Sequence, residues 1–268
     1  MAFELIVVGG GRMGSALVEG LLGANWCKPQ DLAIIEAATE QREILTTHFA
    51  GVTILASLEL DHVGPTTGVV LCVKPDHAEA ALRVVAATGV TRLLSVVAGL
   101  STARIESHFH SPVAVIRSMP NTPVLVGKGV SAISGGAQVT KDDLDWAESI
   151  LGAVGIVVRV TERNIDAVTG LSGSGPAYFY LVVEALIDAG VHQGLTRDVS
   201  RQLVVGTFEG SAALLARSGE SPEELRAQVT SPGGTTAAGL RMLEGRAVRA
   251  AFLEAVSAAA ERSRQLGR

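Results

Sequence analysis

Cysteine is close to absent: Cys27 and Cys72 are the whole complement, each in an apolar setting. Two such thiols exclude a disulfide framework and a cysteine metal cluster, and they fit a reducing compartment. No apolar run reaches the roughly 18 residues that would mark a membrane span. The N-terminus also lacks the basic region and small-residue cleavage site of a secretion signal. A cytoplasmic location without membrane association is therefore expected. A basic excess is missing as well, because 22 Lys and Arg stand against 27 Asp and Glu, for a net charge of −5. Such a chain has no electrostatic footprint for nucleic acid, and a small soluble metabolite is the expected partner.

Lysine is absent after Lys141. The C-terminal half therefore offers no lysine acid or base of the kind used by hydroxyacid dehydrogenases of two-domain layout. The histidines do not replace it. His48, His62, His77, His108 and His110 fall in surface-like segments of the first half, and His192 lies in a polar turn. No metal is expected.

What the chain does have begins at its start. Gly9-Gly10-Gly11-Arg12-Met13-Gly14 follows the apolar run Phe3–Val8 and opens the helix-like stretch Ser15–Leu22. In that context Gly9 permits the tight turn, Gly11 lets the backbone approach a pyrophosphate, and Gly14 lets the helix pack close to the strand. The helix N-terminus adds free N–H donors and the positive end of its dipole.

At 268 residues and 47% hydrophobic the chain can bury a large core. Short apolar runs alternate with helical ones up to about Arg159. The predicted strands are Leu5–Val8, Ala33–Glu36, Val52–Leu55, Gly68–Val73, Leu93–Val97, Val113–Ser118, Val130–Ser134 and Gly155–Arg159. Thr39–Phe49, Ala78–Ala87 and Lys141–Leu151 read as helices. This pattern predicts an α/β fold with an N-terminal Rossmann-like doubly wound domain over 1–161. From 162 to 268 the strand pattern disappears, and an all-α C-terminal domain for dimerisation and substrate binding is expected. Its helices have start signals at Ser174-Gly175-Pro176, Thr196-Arg197-Asp198 and Ser221-Pro222-Glu223-Glu224. The stretch Ala177–Ala189 is apolar nearly all round, so it is either covered by a partner subunit or wrapped by its own neighbours.

Several groups of residues could carry chemistry. Glu36 ends the second predicted strand, roughly 20 residues past the glycines, where an acidic side chain reaches the adenosine ribose and favours NAD over NADP. Arg42 could serve a 2′-phosphate instead, but inside the next helix it is expected to face solvent. Val73-Lys74-Pro75 and Ala98-Gly99 end the fourth and fifth strands at the edge where ligands gather, and both are assigned to the cofactor side. Met119-Pro120-Asn121-Thr122-Pro123 ends another strand in a rigid loop. In the second half, Thr230-Ser231-Pro232-Gly233-Gly234-Thr235-Thr236 runs into a helix and offers several backbone and hydroxyl donors to one point. Such a loop can receive a carboxylate or phosphate without a cation. The small residues of Leu171–Ala177 are expected to let two helices approach closely.

Taken in order, these motifs resemble the pyrroline-5-carboxylate reductase family. The resemblance spans the chain through Gly9–Gly14, Val73-Lys74-Pro75, Val96–Gly99, Arg117–Pro123, Thr169–Tyr178, Asp188–Val191 and Ser231–Thr236. It implies a Rossmann-like domain, an α-helical dimerisation domain, and NADPH or NADH as hydride donor. It also implies reduction of a cyclic imine to L-proline, and homodimers assembled into larger homo-oligomers with substrate held at the subunit interface. By the same resemblance Thr236 hydrogen-bonds the ring nitrogen as the catalytic residue, while Ser231, Gly233, Gly234 and Thr235 grip the carboxylate. Cofactor binding falls to Gly9, Gly11, Arg12, Met13, Gly14, Glu36, Val73, Lys74, Pro75, Ala98, Gly99 and Asn121. Where many relatives carry an asparagine against the adenosine, this chain has Ser57-Leu58-Glu59. Two competing readings are a hydroxyacid dehydrogenase, which the missing lysine disfavours, and a non-catalytic NAD(H) sensor, which the Ser231–Thr236 loop argues against.

Overall fold

The computed structural model describes residues 2–267. The first part of the chain runs β1 (Leu5–Val8), α1 (Arg12–Gly23), β2 (Leu32–Ile35), α2 (Thr39–His48), β3 (Thr53–Leu55), β4 (Gly68–Leu71) and α3 (Pro75–Ala86). It continues through β5 (Arg92–Ser95), α4 (Thr102–Glu106), β6 (Ala114–Met119), β7 (Gly129–Gly135), α5 (Lys141–Gly152) and β8 (Gly155–Arg159). All eight strands read from the sequence form, with ends displaced by a few residues, whereas α4 was not foreseen.

The strands make one sheet in the order β3-β2-β1-β4-β5-β6-β7-β8. β3 to β6 pair in parallel across the sheet, β7 turns antiparallel to β6, and β8 pairs parallel with β7. The central strands are buried on both faces, which is why they read as continuous apolar runs. Alternation still sorts their side chains. Leu5 and Val7 pack on one face with Leu17 and Leu21 of α1 and Ile150 of α5. Ile6 and Val8 pack on the other with Leu82 and Val85 of α3 and Ile105 of α4.

After β8 come α6 (Ile165–Val168), a π-helical turn over Thr169–Gly173, α7 (Gly175–His192), α8 (Arg197–Ser218), α9 (Pro222–Gln228), α10 (Thr235–Gly245) and α11 (Val248–Leu266). The chain divides into two compact units: residues up to Ser174 together with those from Ala258 onward, and Gly175–Ser257. Helix α11 therefore starts in the helical unit and ends in the sheet-bearing one. Its last turns are anchored there by buried Ala260 and by Ser263, whose hydroxyl donates to Asp166 Oδ1 at 2.7 Å. The Leu171–Ala177 segment starts as the π-helical turn and runs on into α7. Its small residues admit a strand end, since a Cβ at Gly173 would stand 2.8 Å from Met119 Cε.

Within the helical unit α7 buries only Gly175 and Ile187. Phe179, Tyr180 and Leu181 are 62%, 61% and 66% exposed, so α7 is not wrapped by its own chain. Covering each such side chain is worth about 1.5–3 kcal/mol, and a second subunit is left as the source of that cover. Among the described residues, no helix is long and apolar enough to cross a membrane.

Candidate active site

The order of strands sets the site. β1 leads outward to β2 and β3 on one side, while β4, β5 and β6 extend on the other, so a crevice opens outside the carboxyl ends of β1 and β4. Two loops meet there. A Cβ on Gly9 would lie 2.8 Å from the carbonyl carbon and oxygen of Cys72, and one on Gly14 would lie 2.0 Å from Gly9 O. Neither position has room for a side chain. Gly11 differs, because a Cβ there would meet nothing within 4 Å. Its missing side chain leaves open space at the mouth of α1, as a bound pyrophosphate requires.

The Gly10 peptide is clamped from three elements. Its N–H donates to Glu36 Oε2 at 3.0 Å, and its carbonyl accepts from Ser15 Oγ at 3.1 Å and Gln41 Nε2 at 2.9 Å. The second oxygen of Glu36 accepts from the Ala38 amide at 2.9 Å. Arg42 does not face solvent as expected: its guanidinium donates to the carbonyls of Glu36 and Ala37 at 3.0 and 2.6 Å and to Thr39 Oγ1 at 3.0 Å. Orphan carbonyls ahead of α2 hold it there, so its fork is spent on the backbone. Ser15, Gln41 and the Arg42 fork were not legible as site residues, because polar side chains on helices carry no periodic signal.

A cleft of about 570 Å³ starts at these glycines and runs past Glu36, Ala38 and Ser57 to Val73, Lys74 and His77. The apolar walls, the acid at the β2 end, the exposed Lys74 and the open face at Gly11 fit a dinucleotide. Arg12 and Met13 begin α1, whose N-cap Gly11 has no capping side chain, so the first amides are left for a ligand. Pro75 starts α3 where a proline sacrifices no bond. Cys72 lies in the same wall, and burial pushes its thiol up to about 12, while Cys27 is pushed up to about 11 by burial and then by Glu4 and Asp31. Both are poor nucleophiles at neutral pH.

Ala98 is exposed just past β5, beside Gly99. Asn121 is buried, and its carboxamide is already used: Oδ1 accepts from the Val130 amide at 2.9 Å, and Nδ2 donates to Ser172 O at 3.1 Å. The Asn121 side chain thus ties the loop after β6 to β7 and to the π-helical turn. Behind these loops, buried Arg117 donates to Glu162 Oε1 at 3.3 Å, and Glu162 also accepts from the Thr102 amide at 2.8 Å and hydroxyl at 2.6 Å. Burial raises the Glu162 pKa, but the Thr102 bonds and Arg117 outweigh it and hold the carboxyl below its ordinary value.

In the helical unit, Ser231-Pro232-Gly233-Gly234 forms a turn closed by the Gly234 amide donating to Ser231 O at 3.0 Å. Pro232 precedes Gly233, whose φ of +71° is the left-handed value such a turn needs. Gly234 is then the N-cap of α10, with no side chain capping it. The amides of Thr235, Thr236 and Ala237 are consequently free at the positive end of an eleven-residue helix. Thr236 is half-buried, and Ser231 is exposed at the start of the turn.

Comparison with known proteins decides the family. Residues 162–266 match the family described as pyrroline-5-carboxylate reductase dimerisation, and residues 4–99 match NADP oxidoreductase, coenzyme F420-dependent. A pyrroline-5-carboxylate reductase from Corynebacterium melassecola is 41% identical over 270 residues, covering 98% of each chain. The chain belongs to the pyrroline-5-carboxylate reductase family. Solved structures of other reductases agree. The Plasmodium falciparum pyrroline carboxylate reductase with NADP bound has a TM-score of 0.84 at 33% identity, covering 99% of this chain and 98% of that one. The Coxiella burnetii pyrroline-5-carboxylate reductase has a TM-score of 0.91 at 31% identity, covering 99% of both. The reductase fold thus accounts for both the sheet with its glycine loop and the helical part that follows.

Proposed function

We infer that this chain is a pyrroline-5-carboxylate reductase, reducing the cyclic imine 1-pyrroline-5-carboxylate to L-proline with NADPH or NADH, the last step of proline biosynthesis. The observation that carries this reading is the pairing, in one chain of this family, of a dinucleotide cleft with an uncapped, cation-free helix start at Gly234–Thr236.

Gly9, Gly11 and Gly14, with the first amides of α1 at Arg12 and Met13, hold the pyrophosphate. Glu36 meets the ribose, and Val73, Lys74, Pro75, Ala98, Gly99 and Asn121 line the strand ends toward the nicotinamide. When bound, the dinucleotide supplies a hydride to the imine carbon. The turn of Ser231, Gly233 and Gly234 presents the amides of Thr235 and Thr236 to the substrate carboxylate. Fixed dipoles suit that task, because they need no reorganisation as charge shifts in the ring. The Thr236 hydroxyl oxygen accepts from the protonated ring nitrogen and holds the proton there, which keeps the imine carbon electrophilic. The enzyme's contribution is orientation with electrostatic support, so no lysine acid or base is required.

Functionally, residues 1–161 bind the dinucleotide, and 162–268 serve dimerisation and substrate binding. The apolar surface of α7 fits a homodimer, further assembled into a larger homo-oligomer, and the sparse cysteine fits the cytoplasm. Purified protein given 1-pyrroline-5-carboxylate and NADPH or NADH should lose nicotinamide absorbance and form proline. Inactivity with both dinucleotides would reject the assignment.

A further inference from the structure

The loop after β5 is held in an unusual way. Val96 donates to Leu71 O at 3.1 Å and Val97 to Ser95 Oγ at 3.3 Å, both still next to the sheet. Beyond them, among the described residues, no hydrogen bond holds the backbone of Ala98, Gly99 or Leu100. Leu100 is buried and fixes the inner side of the loop. On the other side lies the end of the chain. A Cβ on Gly99 would stand 3.4 Å from Leu266 O, and one on Gly267 would stand 3.2 Å from Gly99 O. The two stretches of backbone thus face each other closely enough that a methyl group on either glycine would touch the opposite chain.

The far partner is itself anchored. The Gly267 amide donates to Ser263 O at 3.2 Å, Ser263 is tied to Asp166 at 2.7 Å, and Ala260 and Ser263 are 6% and 7% exposed. We infer that the last turn of α11 is a positioning element for the nicotinamide end of the site, backing the Ala98-Gly99 loop through the close approach of Gly267 to Gly99. This rests on the reading above that Ala98 and Gly99 meet the cofactor. A loop without backbone hydrogen bonds moves by whatever its packed neighbour allows. A displacement of about 1 Å at a reacting carbon lowers turnover by up to about 100-fold, while the pyrophosphate and adenosine contacts that dominate dinucleotide affinity are untouched.

The test uses the full-length enzyme with Gly267→Val, Gly267→Ala, Ser263→Ala and Ala98→Leu. Each variant is assayed for kcat, for NADPH Kd by fluorescence titration, and for thermal midpoint. Gly267→Val is expected to lower kcat about tenfold with Kd changed less than twofold, Gly267→Ala to fall between it and the parent, and Ser263→Ala to move in the same direction. If Gly267→Val fails to fold, the two milder variants decide. Full kcat in the Gly267 and Ser263 variants alongside a loss in Ala98→Leu overturns the inference alone. Full kcat in Ala98→Leu overturns the placement of the loop at the nicotinamide and the inference with it. A kcat loss that only tracks the fraction of protein unfolded assigns Gly267 to stability and also overturns it.

Discussion

The carboxylate of Glu36 accepts a hydrogen bond from the Gly10 amide at 3.0 Å, which ties the end of β2 to the glycine loop after β1. With its other oxygen on Ala38, the charge is fixed at the wall of the cleft. A 2′-phosphate brought beside a fixed carboxylate is repelled. Glu36→Ser is therefore expected to raise the NADPH/NADH ratio of kcat/KM roughly tenfold, the effect of about 1.4 kcal/mol. Steady-state kinetics with both dinucleotides reads this directly, and an unaltered ratio would show that the carboxylate does not face the ribose.

Gly11 and Gly14 should separate binding from folding. A Cβ at Gly14 collides with Gly9 O, whereas one at Gly11 meets only open space. Gly14→Ala is expected to lower the thermal midpoint and dinucleotide affinity together. Gly11→Ala should leave the midpoint within about 2 °C, since a surface change with no contact costs little, yet raise the dinucleotide Kd at least tenfold. Unchanged affinity in Gly11→Ala would remove the pyrophosphate from that space.

At the other end of the reaction, Thr236→Ala should lower kcat by about 100-fold, the usual consequence of removing one preorganised hydrogen-bonding group. NADPH affinity should not move, and Thr236→Ser should restore most of the rate by returning the hydroxyl. Wild-type turnover in Thr236→Ala would take this residue out of the chemistry.

The Glu162 carboxylate gives a pH signature. Its folded pKa lies below 4.5, so the stability it contributes is full above the unfolded pKa and is lost as pH falls through the lower folded value. Glu162→Gln should cost about 1 kcal/mol at pH 7 after allowing for solvent screening, a fall of roughly 2–4 °C in thermal midpoint. The gap to the parent should narrow as pH falls below the ordinary carboxylate range and close once pH has passed through the lowered folded pKa, where Glu162 is protonated and as neutral as the glutamine. A gap that persists at acid pH would assign the effect to packing instead of charge.

Much of the sheet was legible because buried parallel strands such as Leu5–Val8 and Gly68–Leu71 announce themselves as apolar runs next to glycine. Direction was not: nothing in Val130–Ser134 says that this strand runs against β6, since a buried run has the same composition either way. The glycine loop and the Ser231–Thr236 turn were readable because glycine and proline fix backbone shape locally. Helix α4 is only five residues long and too short for periodicity to register. Arg42 and Asn121 were misjudged or only half described for a common reason. The groups that claim their polar atoms are backbone carbonyls and amides, which every residue carries and no sequence pattern marks. The Arg117–Glu162 pair joins residues 45 apart, and only the folded sheet brings them together.

Helix α11 starts in one compact unit and ends in the other, so the helical unit is an insertion within its neighbour's chain and not an appendage to it. The sheet-bearing unit is completed only by the last turns of α11, because Ala260 and Ser263 are buried within it. Exchanging helical units between relatives consequently calls for two splice points, near 174 and 258, and a graft made at the first alone would carry a foreign wedge against Gly99.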